Sequence, residues 1–359
     1  CGRIAAMVAA GLGVCAAEGS TQWNWFDETT YYYNITNMPD FDQQRDNPDI
    51  NNGRFHCVPT SALNLVSYIA NHGFPDAVPG GPKYWPSQSN FDTVTQHVVL
   101  MGVFMSTNPG LDGDNDPSND SGGTRGGDHL TGLRDWMTFY VPGRFTVSRY
   151  AVSGSFAPRQ EHLTKAAAQG ALVNFAYGRY DVVGTINGFP VISWTGGHAV
   201  TLSESERVGS TRRLLVRDPG QDNGDLNVQS AFADHEYELL YDNLVYLAFN
   251  QAAARVMTEI GVNPGARYSS NRYINAYTQI VPMFGYTLSQ SDSVLQVARD
   301  AITMPGVLSA ATPALPAQVG SVYLEVLVTP DLTDYVALTA NAMGDRTLQL
   351  IDGITAQTE

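Results

Sequence analysis

Cysteine, positive charge and long apolar runs are all scarce in this chain of 359 residues. There are 20 Lys and Arg against 35 Asp and Glu, a formal charge of −15, with no basic cluster to offset it, so a phosphate backbone would be repelled and nucleic acid is excluded as a partner class. Charged residues make up only 15% of the chain and hydrophobic ones 43%, with 34 Gly and 19 Pro, which excludes a disordered or coiled protein and suits a loop-rich globular one. The apolar run from Ile4 to Val14 is too short for a bilayer, which takes about 20 residues. With Arg3 before it and Ala16 and Ala17 after it, the run fits a signal peptide. Residues 1–17 are therefore expected to be removed, leaving a secreted or periplasmic chain with no membrane partner.

Removal of that segment takes Cys1 and Cys15 with it and leaves Cys57 as the one thiol. It has no internal partner for a disulfide, so it is buried, paired between molecules, or a working nucleophile. Its context speaks for the third. The Asn, Asp, Pro and Gly content of RDNPDINNGRFH predicts a loop, and the following CVPTSALNLVSYIANHG turns helical. Ala62, Leu65, Val66 and Ile69 share a face, Pro59 suits the first turn, and Asn71-His72-Gly73 before Pro75 ends the helix. Cys57 thus stands at a helix N-terminus, where the free N–H groups and helix dipole lower a thiol pKa.

Downstream, HLTGLRDWMTFY reads as a helix, RFTVSRYAVSG as a strand, RQEHLTKAAAQG as a helix and ALVNFAYGRYDVV as a strand. GGHAVTLSESERVGSTRRLLVRDPG reads as a hairpin turning near Val208 to Ser210. A thiolate needs a base, and the base an orienting group. His198 is the candidate base: it is expected to open a strand directly after Gly196-Gly197, whose missing side chains permit close approach. Folding the hairpin about Val208 pairs positions summing to about 416, which sets Asp218 opposite His198. A slip of one residue would turn one of them to the other face.

These residues resemble a family. Cys-Val-Pro-Thr-Ser at 57–61 is similar to the nucleophile motif of C39-like cysteine peptidases. GALVNFAYGRYD before GGHAVTL resembles their strand leading to Gly-His-x-Val, and LLVRDPG resembles their strand ending in Asp-Pro. The resemblance covers roughly residues 38–235. It implies an α+β, papain-like fold with the nucleophile helix packed on an antiparallel sheet, spanning 18–250. From about Asn250 the character of the sequence shifts, and its short strand-like stretches predict at 251–359 a small β-rich module or an extension of the first domain's sheet. The resemblance further implies Cys57 as nucleophile, His198 as general base and acid, Asp218 as orienter, and a peptide or protein substrate, with no cofactor and no catalytic metal. An upstream Gln donating to the oxyanion is implied at Gln43 in MPDFDQ, and Asn51 is a rival donor because Gln43 lies far from Cys57. Val58 stands where the family often has Gly, which narrows the site. Amine transfer, as in transglutaminase-like proteins, and a catalytically idle papain-like binding protein remain alternatives.

Asp112, Asp114, Asp116 and Asp120 space like the front of a calcium loop, but Pro117 and Gly123 fall where Gly and the bidentate Glu belong. A solvated Asx-rich loop competes with calcium there. Asn34-Ile-Thr36 and Asn119-Asp-Ser121 match the glycosylation sequon.

Overall fold

A computed structural model describes residues 21–27, 30–35, 38–81, 88–110, 122–153, 156–168, 170–220, 226, 235–248, 250–262, 271–283, 286, 288, 334–340, 346–352 and 357–358. The proposed signal segment and the Asp112–Asp120 loop lie outside the described residues.

Among the described residues, four α-helices, α1 (Cys57–Asn71), α2 (Gln88–Phe104), α3 (Gly126–Tyr140) and α4 (Gln160–Ala168), accompany one large sheet. Its strands are β1 (Thr21–Asp27), β2 (Thr30–Ile35), β3 (Phe145–Ala151), β4 (Leu172–Ile186), β5 (Phe189–Val208), β6 (Thr211–Arg217), β7 (His235–Leu247), β8 (Asn250–Val262) and β9 (Asn271–Pro282). The order is β1-β2-β5-β4-β9-β8-β7-β6, with β3 on β9. Because β6 also pairs with β5, the six strands β5, β4, β9, β8, β7 and β6 close into a ring, antiparallel except for a short parallel contact of β5 with β7. A separate three-stranded sheet joins β10 (Asp334–Ala340), β11 (Arg346–Asp352) and β12 (Gln357–Thr358).

Helix α1 is the centre of the core. Every residue from Pro59 to Asn71 is buried, on a helix whose Leu63, Leu65, Val66 and Ile69 meet Val200 and Leu202 of β5 within one cluster. Each such aliphatic side chain contributes about 1.5–3 kcal/mol by leaving water. His72 caps the helix and Gly73, at φ +109, turns the chain away, as Asn71-His72-Gly73 predicts. The segment before it, expected as loop, contains the short 3-10 helix Pro48–Gly53, capped by the Asn47 side chain. α2, to which sequence reading assigns no element, covers a flank of α1 through the buried Val94, Val98 and Met101.

Two expectations are corrected. His198 does not open a strand: β5 begins at Phe189, because the Asn187–Gly188 turn, both residues at positive φ, folds β4 and β5 into one long hairpin that runs through the glycines. The boundary at 250/251 falls within the sheet. β8 starts at Asn250 beside β7, and β9 pairs with both β4 and β3. Met257, Ile260, Ile274 and Ile280 are buried there. Without β9 the β4 edge opposite β5 would have no partner, so residues 250–282 extend the first sheet, the extension among the two alternatives expected, and only the break drawn at 250 is misplaced.

Candidate active site

The chain enters α1 at Cys57 itself. His56, the cap position, gives no side-chain hydrogen bond to the helix, so the first N–H groups, those of Cys57 and Val58, have no partner within it and face outward. α1 is fastened to the strand that carries His198. The Thr201 hydroxyl donates to the Ser61 carbonyl at 2.9 Å, and the Asn64 amide donates to Thr201 Oγ1 at 3.3 Å. Asn64 Oδ1 in turn accepts from the Phe41 N–H at 3.0 Å. This buried polar seam sets the start of the helix at a fixed height against β5.

The register of the β5–β6 hairpin differs from the expected one. Val208 pairs with Thr211 around Gly209-Ser210, and Thr201 pairs with Arg217, so partners sum to 418 or 419 rather than 416, with a bulge between Leu202 and Glu204. Asp218, one residue beyond β6, therefore follows a register that points at Val200, and His198 lies two residues further along the same face. The displacement is even, so the two side chains still converge: Asp218 Oδ1 accepts from His198 Nε2 at 2.5 Å. The Gly220 N–H donates to the same oxygen at 2.9 Å, and the Tyr237 hydroxyl donates to Oδ2. A side chain at Gly220 would place its Cβ 2.9 Å from His198 Cε1, so the tight turn after Asp218 requires Gly.

With Nε2 engaged by Asp218, the other ring nitrogen serves the Cys57 thiol, and the two side chains are hydrogen-bonded. Burial pushes the thiol up, but the hydrogen bond and charge of His198 and the backbone N–H of Ala199 outweigh it and hold Cys57 below its ordinary value. Burial likewise disfavours the imidazolium, yet the Asp218 charge, Tyr177 and the bonds to Asp218 and Cys57 raise His198 well above its usual value. For Asp218, burial works against ionisation and is overcome by His198, Tyr237 and Gly220, which keep the carboxyl far below the usual range. The three groups together favour a thiolate beside an imidazolium, a nucleophile with its proton donor in place.

Gln43 is 8% exposed and lies between the two halves of the site. Its N–H donates to the Pro219 carbonyl at 3.0 Å, next to Asp218, and its Nε2 donates to the Arg54 carbonyl at 3.3 Å, just before Cys57. Gly53 permits this, since a Cβ there would fall 1.6 Å from the Gln43 carbonyl oxygen. The amide keeps a second N–H for another acceptor. Asn51 is instead part of the turn: it sits at φ +49 and its carbonyl accepts from the Arg54 N–H.

Tyr237 is the site residue that sequence reasoning missed. It lies on β7, opposite Leu214 of β6, and is fully buried among the rings of Phe175 and Tyr177. No spacing in the sequence ties a tyrosine nineteen positions on to Asp218; the link exists only once β7 lies beside β6. Among the described residues no group of three or more His, Cys, Asp or Glu could hold a metal ion, and no helix is long and apolar enough to cross a membrane.

No family model, no curated protein and no solved structure matches the chain.

Proposed function

We propose that this chain is a cysteine peptidase of the C39-like, papain-type kind, which hydrolyses a peptide or isopeptide bond through an acyl-enzyme on Cys57. The observation that carries the reading is the continuous array of Cys57 at a helix N-terminus, His198 hydrogen-bonded to it, and Asp218 on the far ring nitrogen at 2.5 Å. The setting of that helix against a closed ring of mostly antiparallel strands supports it further.

In the mechanism, the Cys57 thiolate attacks the amide carbonyl carbon, and the carbonyl electron pair moves to oxygen. The backbone N–H of Cys57 and the free N–H of the Gln43 amide are the donors nominated for that oxyanion. Collapse of the tetrahedral adduct breaks the C–N bond as the His198 imidazolium gives its proton to the leaving amine. His198, now neutral, takes a proton from the water that attacks the thioester carbon; the C–S bond then breaks, the carboxylic acid leaves, and the Cys57 thiolate is restored beside the His198 imidazolium. Asp218 stays ionised throughout and holds the ring in one orientation.

The test is labelling of the folded protein with a peptide-based thiol-directed probe, followed by mapping of the modified residue. Labelling at Cys57 is expected, and hydrolysis of the matching peptide should leave a free acid rather than an amide of an added amine. An unlabelled Cys57 in intact protein removes the nucleophile and the reading with it.

A further inference from the structure

On β5 the thiol is met by the Ala199 N–H, which is hydrogen-bonded to Cys57. Two residues on, Thr201 turns its hydroxyl to the Ser61 carbonyl of α1, so α1 covers the face of β5 that carries Thr201, Ala199 and, by alternation, Gly197. The β4–β5 register runs from Thr201 to Gly196 without a shift, which fixes that parity. Thr201 to Ala199 follows α1 from Ser61 back to Cys57, and Gly197 continues past the helix start. Gly197 is exposed, and two residues of strand set it about 7 Å from Ala199. A Cβ on Gly197 would stand 3.7 Å from Cζ2 and 3.9 Å from Nε1 of Trp194, so the indole is seated on this same face. Trp194 is 62% exposed, and Gly196 beside it would meet nothing within 4 Å of a Cβ. Val182 pairs with Ile192, on the face that carries Trp194, and is exposed too, which makes the surroundings apolar. Among the described residues no strand pairs with β5 from Ser193 to Val200 on the edge opposite β4: β6 ends at the partner of Thr201, and β7 meets only Val191 and Ile192. An extended chain can therefore approach the thiol along this edge without displacing a described strand.

Resting on the peptidase reading above, we propose that Trp194 is a specificity-determining residue, the platform on which an aromatic side chain of the substrate packs, one or two residues from the scissile bond. A peptide held at the thiol in extended form covers about 7 Å in two residues, the same span that separates Ala199 from Gly197. The open indole offers a plane rather than an enclosed pocket. Another ring meets a plane over its whole face or edge, whereas a branched aliphatic side chain touches it over less area.

The test compares thiol-directed peptide probes that carry Phe, Leu, Arg or Ala at the first or second position on either side of the reactive group. At one of these positions Phe should label Cys57 roughly tenfold faster than Ala, with Leu between them and Arg no faster than Leu. Trp194→Ala should lower that Phe-to-Ala ratio to about twofold, and Trp194→Phe should keep an intermediate ratio. The ring is mostly in solvent, so thermal melts should find both variants folded. No Phe preference at any position, or a ratio unchanged in W194A, overturns the proposal. So does an equal slowing of the Phe and Ala probes in W194A, which would make Trp194 a support for His198 instead, and so does an Arg probe that outpaces Phe. The same peptides as simple amides, titrated into Cys57→Ala protein, report on the platform without thiol chemistry. Tighter binding of the Phe peptide than the Ala peptide, lost when W194A is added, supports the platform, and equal binding overturns it. Failure of Cys57 to be labelled while that selective binding persists sinks the thiol reading alone.

Discussion

Tyr237 gives its hydroxyl proton to Asp218 Oδ2, while Oδ1 of the same carboxylate takes His198 Nε2. A carboxylate that is almost wholly buried is thus held from both ends, by the His198 imidazole and by the Tyr237 phenol. Tyr237→Phe removes one donor and leaves Oδ2 under-satisfied, which should cost about 1–3 kcal/mol of stability. Asp218 is depressed in the folded protein, so its ionisation stabilises above the ordinary carboxyl pKa and that stability is lost as pH falls through the depressed value. Without Tyr237 the depression shrinks, so the acid unfolding midpoint should move to higher pH. Thermal melts across the acid range check this, and an unmoved acid limb would mean that the phenol only fills space.

Loss of the base should be the most severe single change. His198→Ala is expected to slow acylation of Cys57 by several orders of magnitude with the fold intact, as judged by circular dichroism. Asp218→Asn should cost less than Asp218→Ala, because an amide oxygen can still accept from the ring N–H, whereas alanine frees the ring to rotate. Equal loss from D218N and D218A would argue that Asp218 acts by charge rather than by orientation. A larger loss from His56→Ala than from His198→Ala would show that the wrong histidine bears the proton.

The thiol-imidazole pair has a signature in pH. Cys57 is held below, and His198 above, their ordinary values. Alkylation by iodoacetamide should therefore already be on its plateau at pH values below the free-thiol pKa of about 8.5. In the His198→Ala protein the rate should instead rise through the alkaline range. The raised His198 contributes stability that is complete below its unfolded pKa and fades as pH climbs through the folded value. Identical alkylation profiles for the two proteins would remove the ion pair.

Gly220→Ala places a methyl 2.9 Å from His198 Cε1 and 3.5 Å from Asp218 Oδ1, so its nearest neighbours are the two groups of the site. Its effect should fall on turnover, about tenfold or more, through displacement of the ring by a few tenths of an ångström. The melting temperature should change much less. Steady-state rates beside thermal melts decide it; a large melting loss with an unaltered rate per folded molecule points to a turn defect only.

Much of this was legible in the residues, and the failures have physical causes. Pro59, the face of Ala62, Leu65, Val66 and Ile69, and Asn71-His72-Gly73 mark α1 because helix period and stop signals are local. The hairpin was legible to within two positions: the turn centres between Gly209 and Ser210, which raises the partner sum from 416 to 419, and the bulge between Leu202 and Glu204 takes one back, leaving 418 beside the site. The error was even, so His198 and Asp218 kept a common face; an odd error would have parted them. Tyr237 and the return of β8 and β9 could not be read, since each is fixed by pairing between segments far apart in sequence. For the same reason a break at 250 was drawn where composition changes, though the sheet continues. A chain ended at residue 250 should accordingly lack a cooperative unfolding transition, while one ended at residue 288 keeps it; two similar melts would restore the earlier boundary.

The closing of the ring by β9 also orders events during synthesis. Cys57 leaves the ribosome early, His198 and Asp218 follow, and the strand that pairs with β4 arrives only with Asn271–Pro282. Until then β4 has an open edge, β5 lacks its full support, and the thiol has no settled imidazole beside it. On the proposed reading, a nascent chain would therefore carry an ordinary cysteine, protonated near neutrality, until the sheet is complete. The thiol would gain its reactivity only when β9 has joined β4, so folding itself would time the onset of activity.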